Sequence, residues 1–510
     1  MTETPLKLFN GLTRQLEKFK PVHPGEAPDF VAEARVYSCG PTVYNYQHIG
    51  NMRAYVFADT LGRVLSYKGY QLTHVINITD VGHLTSDADD GDDKMEKAAT
   101  AQGKTAWDIA AFYQADFEAD LDRLNIRKPT HPRATQYVDA MIEWGKAIAD
   151  KHCYELASGL YFDVSTVPAY GRLARAVTDA NDSGAEGRID EVSGKRNQAD
   201  FAIWRKTPAG ETRQMEWPSP WGMGAPGWHL ECSVMSKALL GMPFDIHTGG
   251  IDHREIHHPN EIAQNQAHEA CGDSGANIWM HNNFLVERSG KMSKSSGEFL
   301  RLQLLIDKGY HPLAFRLMCL QAHYRSELEF SWEGLQAALV RLKRMVMATT
   351  QLKARHAELV SASIVPSQTK VSEEGWTLKQ VQGDELELWI NVFVNFEEAI
   401  SDDLNTPIAL TALEAVIGRT KATPEETLMA LRKLDEIFGL GLMSLTRTDL
   451  RIRPKAATIT EPEIDAILFQ RKEARAAKDF ATSDRLRDEL TAHGVEVMDG
   501  DPLGWDWKLG

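Results

Sequence analysis

A strand, a glycine-proline turn, a helix and a second strand follow one another between residues 34 and 78, and this order constrains the fold strongly. Residues 34–41 (ARVYSCGP) have the composition of a strand that ends in a turn, and Met52 to Leu65 carries apolar residues at helical spacing. Leu72 to Ile78 then has the pattern of a second strand. Because strands joined through a helix run parallel, we expect an α/β fold with a parallel sheet.

Two loops have the composition of phosphate-binding segments. His48-Ile49-Gly50-Asn51 lies between the first strand and its helix, where backbone N–H groups and the helix dipole favour anions. Far downstream, Lys291-Met292-Ser293-Lys294-Ser295 lies between Gly290 and Gly297, and a lysine ammonium can hold phosphate as a point charge. Charged loops are often merely solvated. The lysine loop, residues 291–295, is therefore evidence for a phosphate site only in combination with the first loop.

Composition narrows the class of protein. A chain of 510 residues suggests about three domains. We expect no membrane span, because no apolar run approaches the roughly 18 residues required, and the N-terminal residues do not have the pattern of a signal peptide. The net charge of −16 argues against nonspecific nucleic-acid binding but leaves room for a local basic face. The five cysteines are odd in number and widely scattered, which predicts reduced thiols in the cytoplasm and not a disulfide framework. They are Cys39, Cys153, Cys232, Cys271 and Cys319.

The remainder of the chain changes pattern several times. Helix is predicted from Ala106 to about residue 125, a mixed segment from there to about residue 204, and a return of the sheet near Phe244. From Leu313 onward the chain is mostly helical, except at residues 360–382, which are rich in Ser, Gln and Val and predict an inserted surface loop. Helix is again predicted from Ile464 to Leu490, followed by a short strand and a turn.

Four side chains have the chemistry of metal ligands. Cys39 and Cys232 would offer thiolates, His257 an imidazole and Glu261 a carboxylate, and this set suits zinc. His257 and Glu261 are four residues apart, so on a helix they share one face. The spacing does not select this set by itself, because the chain has no Cys-x-x-Cys and lone cysteines are often inert core residues.

Motifs along nearly the whole chain, apart from residues 360–382, resemble those of the cysteinyl-tRNA synthetase family, which belongs to class I of the aminoacyl-tRNA synthetases. The lysine loop alone would indicate only class I, whereas the set together is specific. The motifs are Lys7–Arg14, Cys39–Tyr44 leading into His48–Asn51, Asn77–Asp80, Lys195–Asn197 with Asp200-Phe201, Trp217–Gly222, Pro226–Ser233, His257–Glu261, Asp403–Pro407, Arg471–Leu490, Asp499-Gly500 and Trp505.

The resemblance implies a Rossmann-type parallel-sheet catalytic domain that is split by a connective insertion. A helical bundle and a small C-terminal domain would follow it. The implied boundaries are 1–125 for the first half of the catalytic domain, 126–210 for the insertion, 211–312 for the second half with the zinc site and the lysine loop, 313–455 for a tRNA-binding bundle, and 456–510 for anticodon recognition.

The resemblance also implies how cysteine would be recognised. Cys39, Cys232, His257 and Glu261 match the zinc ligands of the family, with one zinc ion per chain. Zinc stabilises a thiolate far better than an alcohol, so binding of the substrate thiol would discriminate against serine. Two further residues match positions beside the amino acid. They are Thr79, which could otherwise cap a helix, and Trp228, which could otherwise be a core residue.

For the nucleotide, the resemblance implies that ATP binds with Mg²⁺ between the two loops. His48 would donate to a phosphate, and Asn51 replaces the usual second histidine, so it can donate a hydrogen bond but carries no charge. His48, Lys291 and Lys294 would be catalytic, because phosphate chemistry needs positioning and charge stabilisation. The implied ATP contacts are Gly50, Asn51, Gly249, Gly250, Asp252 and Lys294.

The implied reaction joins L-cysteine to tRNA(Cys) through cysteinyl-adenylate, with no membrane or DNA partner. A basic stretch of the first long C-terminal helix would contact the tRNA backbone, and Trp505 and Trp507 would either stack on bases or pack their domain. The stretch comprises Arg341, Lys343, Arg344, Lys353 and Arg355. Two rival hypotheses are a cysteine ligase of mycothiol biosynthesis, which lacks the long C-terminal region, and a catalytically inactive RNA-binding paralogue.

Overall fold

The computed structural model describes residues 4–24, 31–81, 94–174, 193–269, 274–287, 290–291, 300–362, 384–418 and 422–509. Within these ranges the strands are β1 Lys7–Asn10, β2 Gln15–Lys18, β3 Glu33–Ser38, β4 Gln71–Ile76, β5 Cys153–Leu156, β6 Gly159–Phe162, β7 Phe201–Lys206, β8 Gly224–Pro226, β9 Phe244–Gly250, β10 Ala276–Asn282, β11 Leu285–Glu287, β12 Gly290–Lys291, β13 Leu328–Glu329, β14 Val495–Val497 and β15 Trp505–Trp507.

The α-helices lie between and after these strands. They are α1 Ile49–Tyr67, α2 Lys94–Gln102, α3 Ala106–Arg123, α4 Val138–His152, α5 Trp228–Leu240, α6 His257–Glu269, α7 Leu302–Asp307, α8 Pro312–Leu320, α9 Trp332–Ala362, α10 Asp384–Ser401, α11 Thr406–Ile417, α12 Pro424–Phe438, α13 Glu461–Ala476 and α14 Phe480–Ala492.

The central sheet has the order β10-β9-β3-β4, and all of its strands are parallel. This confirms the parallel sheet predicted from residues 34–78, and β3 and β9 meet in register at Val36 and Ile246. Helix α1 crosses over from β3 to β4 and buries a row of apolar side chains that includes Val56 and Leu61. Because the carboxyl ends of parallel strands share one edge, the loops after β3, β4, β9 and β10 come together there.

The segment between the two halves of the parallel sheet contains an antiparallel sheet of order β5-β6-β7-β8. This sheet extends past residue 210, the predicted end of the insertion, because Trp204 of β7 pairs with Pro226 of β8. Gly227 follows directly, and a Cβ there would lie 1.8 Å from the carbonyl oxygen of Ala202. The insertion therefore packs tightly against the start of α5.

The helical region begins at α7 and is confirmed as predominantly helical through α12. Helix α9 continues through Ala362, so the first three residues of the predicted inserted loop are helical, and residues 363–383 lie outside the described residues. Helix α10 begins at Asp384.

The C-terminal segment has its own core, formed by Ile459, Ile464, Leu490, Val495, Trp505 and Trp507. Two helices stand where one was predicted from Ile464 to Leu490. The chain turns at residues 477–479, where Lys478 has a φ of 60°. Trp505 and Trp507 are buried, 1% and 3% exposed, and their rings meet edge to face. Of the two roles considered for them, stacking on bases or packing their domain, the structure therefore supports packing.

A buried ionic cluster joins α1, which packs on the parallel sheet, to the helical region. The Arg316 guanidinium of α8 donates to Asp59 Oδ2 of α1 at 2.6 Å, to the Phe438 carbonyl at 2.6 Å and to the Leu124 carbonyl at 3.0 Å. Arg63 also donates to Asp59 Oδ2, at 2.7 Å. Burial opposes charge on Asp59, but these guanidiniums outweigh it and hold the pKa of its carboxyl below the usual range.

None of the helices within the described ranges combines the length and the apolar character needed to cross a bilayer.

Candidate active site

A cavity of about 400 Å³ opens at the carboxyl edge of the parallel sheet. Each loop at this edge contributes to its wall, as does the N-terminal end of each adjoining helix. The lining residues include Cys39–Thr42 after β3, His48, Gly50 and Asn51 at the start of α1, Asn77 and Thr79 after β4, Trp228 and Cys232 of α5, Gly250–His253 from the last residue of β9 onward, His257 of α6 and Asn282–Leu285 from the last residue of β10 onward. The cavity brings together most of the side chains that the sequence predicted.

The turn after β3 has room only for glycine. Gly40 donates its N–H to Asn77 Oδ1 at 2.8 Å, and a Cβ on Gly40 would lie 1.5 Å from the Asn77 carbonyl oxygen. This close approach fixes Cys39 beside the segment that carries Thr79.

The four predicted metal ligands converge at this cavity, and three of them, Cys39, Cys232 and His257, line it. Cys39, Cys232, His257 and Glu261 each offer one ligand atom, and these atoms all lie within 4.8 Å of one another. Glu261 Oε1 is buried 3.1 Å from His257 Nε2, yet no hydrogen bond to it is formed by the described residues. The donor set can therefore hold a metal ion.

The charges within this set are strongly coupled. The Cys39 thiol donates to Cys232 and lowers the pKa of Cys232 to about 6, whereas burial raises the pKa of Cys39. Burial opposes charge on His257, but Glu261 and Cys232 raise its pKa to about 10. Burial likewise opposes charge on Glu261, but His247 and His257 lower its pKa to about 2. A thiolate at Cys232 and a carboxylate at Glu261 are thus favoured at neutral pH, whereas Cys39 and His257 must each release a proton when a metal ion binds.

A second donor set overlaps the first, since Cys39 and Glu261 could also join His247 and His258. His258 Nε2 lies 3.3 Å from Cys39 Sγ, and His247 Nε2 lies 2.9 Å from Glu261 Oε2. Only Cys39 of this second set lines the cavity, whereas Cys39, Cys232 and His257 of the first set all do. The first set is the one that a small ligand can reach.

Several side chains that support the ligands were missed by sequence reasoning. His229 Nδ1 lies 2.8 Å from His257 Nδ1, which leaves His257 Nε2 directed at Glu261. Such partners orient metal-binding imidazoles. The neighbour of His257 in the sequence, His258, contacts His281 Nε2 through its Nδ1 at 2.8 Å. The spacing of histidines in the sequence gave no signal for these contacts, because they join residues 23 to 28 positions apart.

Thr79 and Trp228, which are predicted to lie beside the amino acid, both line the cavity. The Trp228 ring lies 4.4 Å from the His257 ring, centroid to centroid, so it walls the ligand cluster. Thr79 Oγ1 donates to Glu231 Oε2 at 2.7 Å, and burial raises the pKa of that carboxyl well above its usual range. Glu231 was not predicted to belong to the site.

At the start of α1, His48 and Asn51 cap the helix reciprocally. Asn51 N–H donates to His48 Nδ1 at 3.2 Å, and His48 N–H donates to Asn51 Oδ1 at 3.3 Å. The Asn51 oxygen is therefore occupied, while its amide group keeps two N–H donors. A Cβ on Gly50 would lie 2.9 Å from the His48 ring, so glycine keeps room for the imidazole.

The predicted ATP residues at and after the end of β9 divide into two groups. Gly250 and Asp252 line the cavity. Gly249 instead packs under histidine rings, since a Cβ there would lie 2.7 Å from both His253 and His258. The backbone of Lys291 lies in β12, paired with Val286, but its side chain and all of Lys294 lie outside the described residues.

The predicted basic face on α9 is smaller than the sequence suggested. Arg341 pairs with Glu414 at 2.7 Å, Lys343 pairs with Asp506, and Lys353 donates to the Met443 carbonyl at 2.7 Å. These three side chains hold other elements in place. Arg344 and Arg355 are the exposed members of the stretch.

Comparison with known proteins identifies two matching family models. Residues 28–340 match the model described as "tRNA synthetases class I (C) catalytic domain", and residues 460–502 match "Cysteinyl-tRNA ligase anticodon binding domain". The cysteine–tRNA ligase of Novosphingobium aromaticivorans is 65% identical, covering 99% of this chain and 97% of the relative. The cysteine–tRNA ligase of Zymomonas mobilis is 51% identical, covering 99% and 98%.

Solved structures agree on the fold. Methionyl-tRNA synthetase of Mycobacterium tuberculosis in complex with methionyl-adenylate matches with a TM-score of 0.52 at 12% identity, covering 80% of this chain and 88% of the other. A second structure of that protein matches with a TM-score of 0.51 at 13% identity, covering 82% and 92%. At this identity the likeness concerns the fold alone, and it supports the predicted α/β class.

Proposed function

The chain belongs to the cysteinyl-tRNA ligase family of class I aminoacyl-tRNA synthetases, and we propose that its cavity holds L-cysteine and ATP side by side. An oxygen of the cysteine carboxylate attacks the α-phosphorus of ATP. The bond from that phosphorus to the bridging oxygen of the β-phosphate breaks, and pyrophosphate leaves. The terminal ribose hydroxyl of tRNA(Cys) then attacks the cysteinyl carbonyl and releases AMP.

The observation that carries this proposal is the meeting of two features in one cavity. Cys39, Cys232 and His257 line it on one side, and His48 with Asn51 at the start of α1 lines it on another. A thiol-binding centre and a phosphate-binding helix end are the two sites that cysteine activation needs.

Zinc is the metal that the donor set fits, because two thiolates, an imidazole and a carboxylate are the soft and borderline ligands that zinc prefers. Cys39, Cys232, His257 and Glu261 would hold it. When bound, zinc would accept the thiolate of substrate cysteine and bind the hydroxyl of serine poorly. Trp228 and Thr79 would enclose the amino acid, since both line the cavity.

On the nucleotide side, the proposal gives each residue a simple task. The amide N–H groups of Asn51 and the imidazole of His48 would donate to phosphate oxygens, while Gly50 and Gly250 leave space for the nucleotide and Asp252 contacts the ribose. Mg²⁺ would accompany the phosphates. Lys291 and Lys294 would neutralise the charge that develops as pyrophosphate leaves. Gly249 would act indirectly, by its packing under His253 and His258.

For the second substrate, the proposal assigns tRNA(Cys) to the helical region and the anticodon to the C-terminal domain, with the cytoplasm as the place of action. The match over residues 460–502 supports this assignment. It also counts against the mycothiol-pathway ligase, which lacks such a domain. The exposed Arg344 and Arg355 remain available for the tRNA backbone.

The test is ATP–pyrophosphate exchange with cysteine or serine as the amino acid. We expect exchange with cysteine, little with serine, and loss of both exchange and bound zinc in Cys232→Ala. Cys319→Ala is the matched control, because Cys319 is also a buried free thiol but lies in α8 outside the cavity. Equal exchange with the two amino acids, or full zinc content in Cys232→Ala, would contradict the proposal. Charging of tRNA(Cys) tests the second step.

A further inference from the structure

Arg53 of α1 is buried and gathers backbone carbonyls from two separate segments. Its guanidinium donates to the carbonyls of Asn283 at 2.9 Å, Phe284, His323 at 3.3 Å and Ser326 at 2.5 Å. The side chain is 2% exposed. A guanidinium with its donors in a fixed fork holds such carbonyls in one arrangement.

The first of the two segments is the cavity wall, residues 283–285, which follow β10. These residues line the cavity, and a Cβ on Gly50 would lie only 3.8 Å from the Cβ of Leu285. Leu285 begins β11, whose Val286 pairs with the backbone of Lys291. The wall is therefore adjacent to the predicted phosphate loop and to the root of the lysine loop.

The second segment is the bracing loop, residues 323–326, which precedes β13. Asn283 N–H donates to the Tyr324 carbonyl at 2.8 Å, and Asn283 Nδ2 donates to the Arg325 carbonyl at 3.1 Å. Strand β13 continues this contact, since Leu328 pairs with Leu285. The cavity wall thus lies against the bracing loop through backbone hydrogen bonds as well as through Arg53.

On its other side the bracing loop is held by Asp403, which lies in the turn between α10 and α11. The Asp403 carboxylate accepts from Tyr324 Oη at 2.6 Å and from Arg325 Nε at 2.6 Å, and the Asp403 carbonyl lies 2.9 Å from His323 Nε2. Phe9 N–H of β1 also donates to this carboxylate, at 2.8 Å. Three consecutive residues of the bracing loop are therefore attached to one turn of the helical region.

That turn adopts an unfavourable backbone conformation. Asp403 has a φ of 55° and Leu404 a φ of 58°, a region that leucine rarely occupies. Leu404 is 2% exposed and borders a small cavity together with Arg53 and Tyr324. Such a conformation persists where surrounding contacts impose it, and it often accompanies a functional constraint.

We propose that Asp403 is a positioning residue for adenylate formation. It fixes the bracing loop, the bracing loop and Arg53 fix the cavity wall, and the wall sets the geometry around the phosphates of ATP. The turn between α10 and α11 therefore controls a step in which it does not take part directly. This proposal rests on the cysteine activation proposed above.

The experiment compares two buried aspartates of the helical region. Asp403→Asn removes the charge that holds Arg325, whereas Asp435→Asn alters a carboxylate that accepts from Leu440 N–H at 2.9 Å and Leu442 N–H at 2.7 Å, away from the bracing loop. We expect Asp403→Asn to lower kcat for cysteine-dependent pyrophosphate exchange by about tenfold, because misplacement by 1 Å can cost on the order of 100-fold. KM for cysteine and zinc content should stay unchanged.

The control separates positioning from general destabilisation. Asp435→Asn should lower the unfolding midpoint yet leave kcat at the wild-type value. An unchanged kcat in Asp403→Asn, or equal losses of kcat in both variants, overturns the proposal. If Asp403→Asn does not fold, Tyr324→Phe replaces it, because this variant removes a single hydrogen bond to Asp403, and a normal kcat there is likewise a refutation. Absence of exchange in the unaltered chain would instead overturn the proposed function itself.

Discussion

Replacing Gly40 by alanine is the smallest change that should dismantle the metal-binding cluster. The added Cβ would lie 1.5 Å from the Asn77 carbonyl oxygen, whereas ordinary contacts begin at 3.4 Å, so the turn after β3 must move by about 2 Å. Two backbone hydrogen bonds tie this turn to the next strand's loop, Thr79 N–H to the Pro41 carbonyl and Val43 N–H to the Thr79 carbonyl. Neither segment can yield without displacing the other.

The magnitude follows from the coordination distances. A zinc–thiolate bond is about 2.3 Å long, so a shift of about 2 Å removes Cys39 from the coordination sphere. We expect Gly40→Ala to bind less than one zinc per chain and to lose on the order of 100-fold in cysteine-dependent exchange. The overpacked turn should also cost about 1–3 kcal/mol in the free energy of unfolding.

The assay combines metal analysis, urea unfolding and pyrophosphate exchange on the same preparation. Gly500→Ala is the matched control, because a Cβ there meets no atom within 4 Å and should change none of the three measurements. Full zinc content with wild-type exchange in Gly40→Ala would show that the close approach to Asn77 does not hold Cys39 in place.

Four further outcomes follow from individual side chains. Arg316→Met should cost about 3–5 kcal/mol in urea unfolding, because it leaves the buried Asp59 carboxylate with one partner fewer. Folding lowers the pKa of Asp59, so its ionised carboxylate contributes fully to the free energy of unfolding above about pH 4. That contribution is lost as the pH falls through the pKa of the folded state. The difference in the free energy of unfolding between wild type and Asp59→Asn should therefore shrink on acidification. Trp505→Ala should abolish tRNA charging while pyrophosphate exchange continues, since it empties the separate C-terminal core. Lys294→Ala should slow adenylate formation but leave zinc and cysteine binding intact, and weakened cysteine binding in that variant would contradict the assigned task.

The parts of the fold that sequence reasoning predicted are those with local periodicity. Residues 34–78 showed their strand, turn, helix and strand, because hydrophobic spacing and a Gly-Pro turn are local signals. The break near Lys478 was missed, since the residue with positive φ that follows the end of α13 is a lysine and not a glycine. The four candidate metal ligands were predicted by resemblance to a family, not by their spacing.

Contacts between distant residues account for what the sequence did not show. The sequence predicted a basic face that includes Arg341, Lys343 and Lys353. In the fold, these side chains are occupied by partners that lie about 70 to 160 residues away in the chain, so no local pattern shows the pairing. Arg53 and Arg316 gave no local signal either, because a buried arginine is recognised only by the carbonyls and carboxylates that surround it. Their role depends on tertiary structure alone.

The division of the parallel sheet has a consequence for synthesis on the ribosome. Cys39 and Glu261 are about 220 residues apart. At a synthesis rate of about 5–20 residues per second, Glu261 is therefore added roughly 10 to 40 s after Cys39. Strands β3 and β4 emerge together, but β9, which lies beside β3, follows the entire insertion. The four-ligand cluster is therefore completed late, and until then the Cys39 thiol of each nascent chain lacks its later neighbours Cys232, His257 and Glu261.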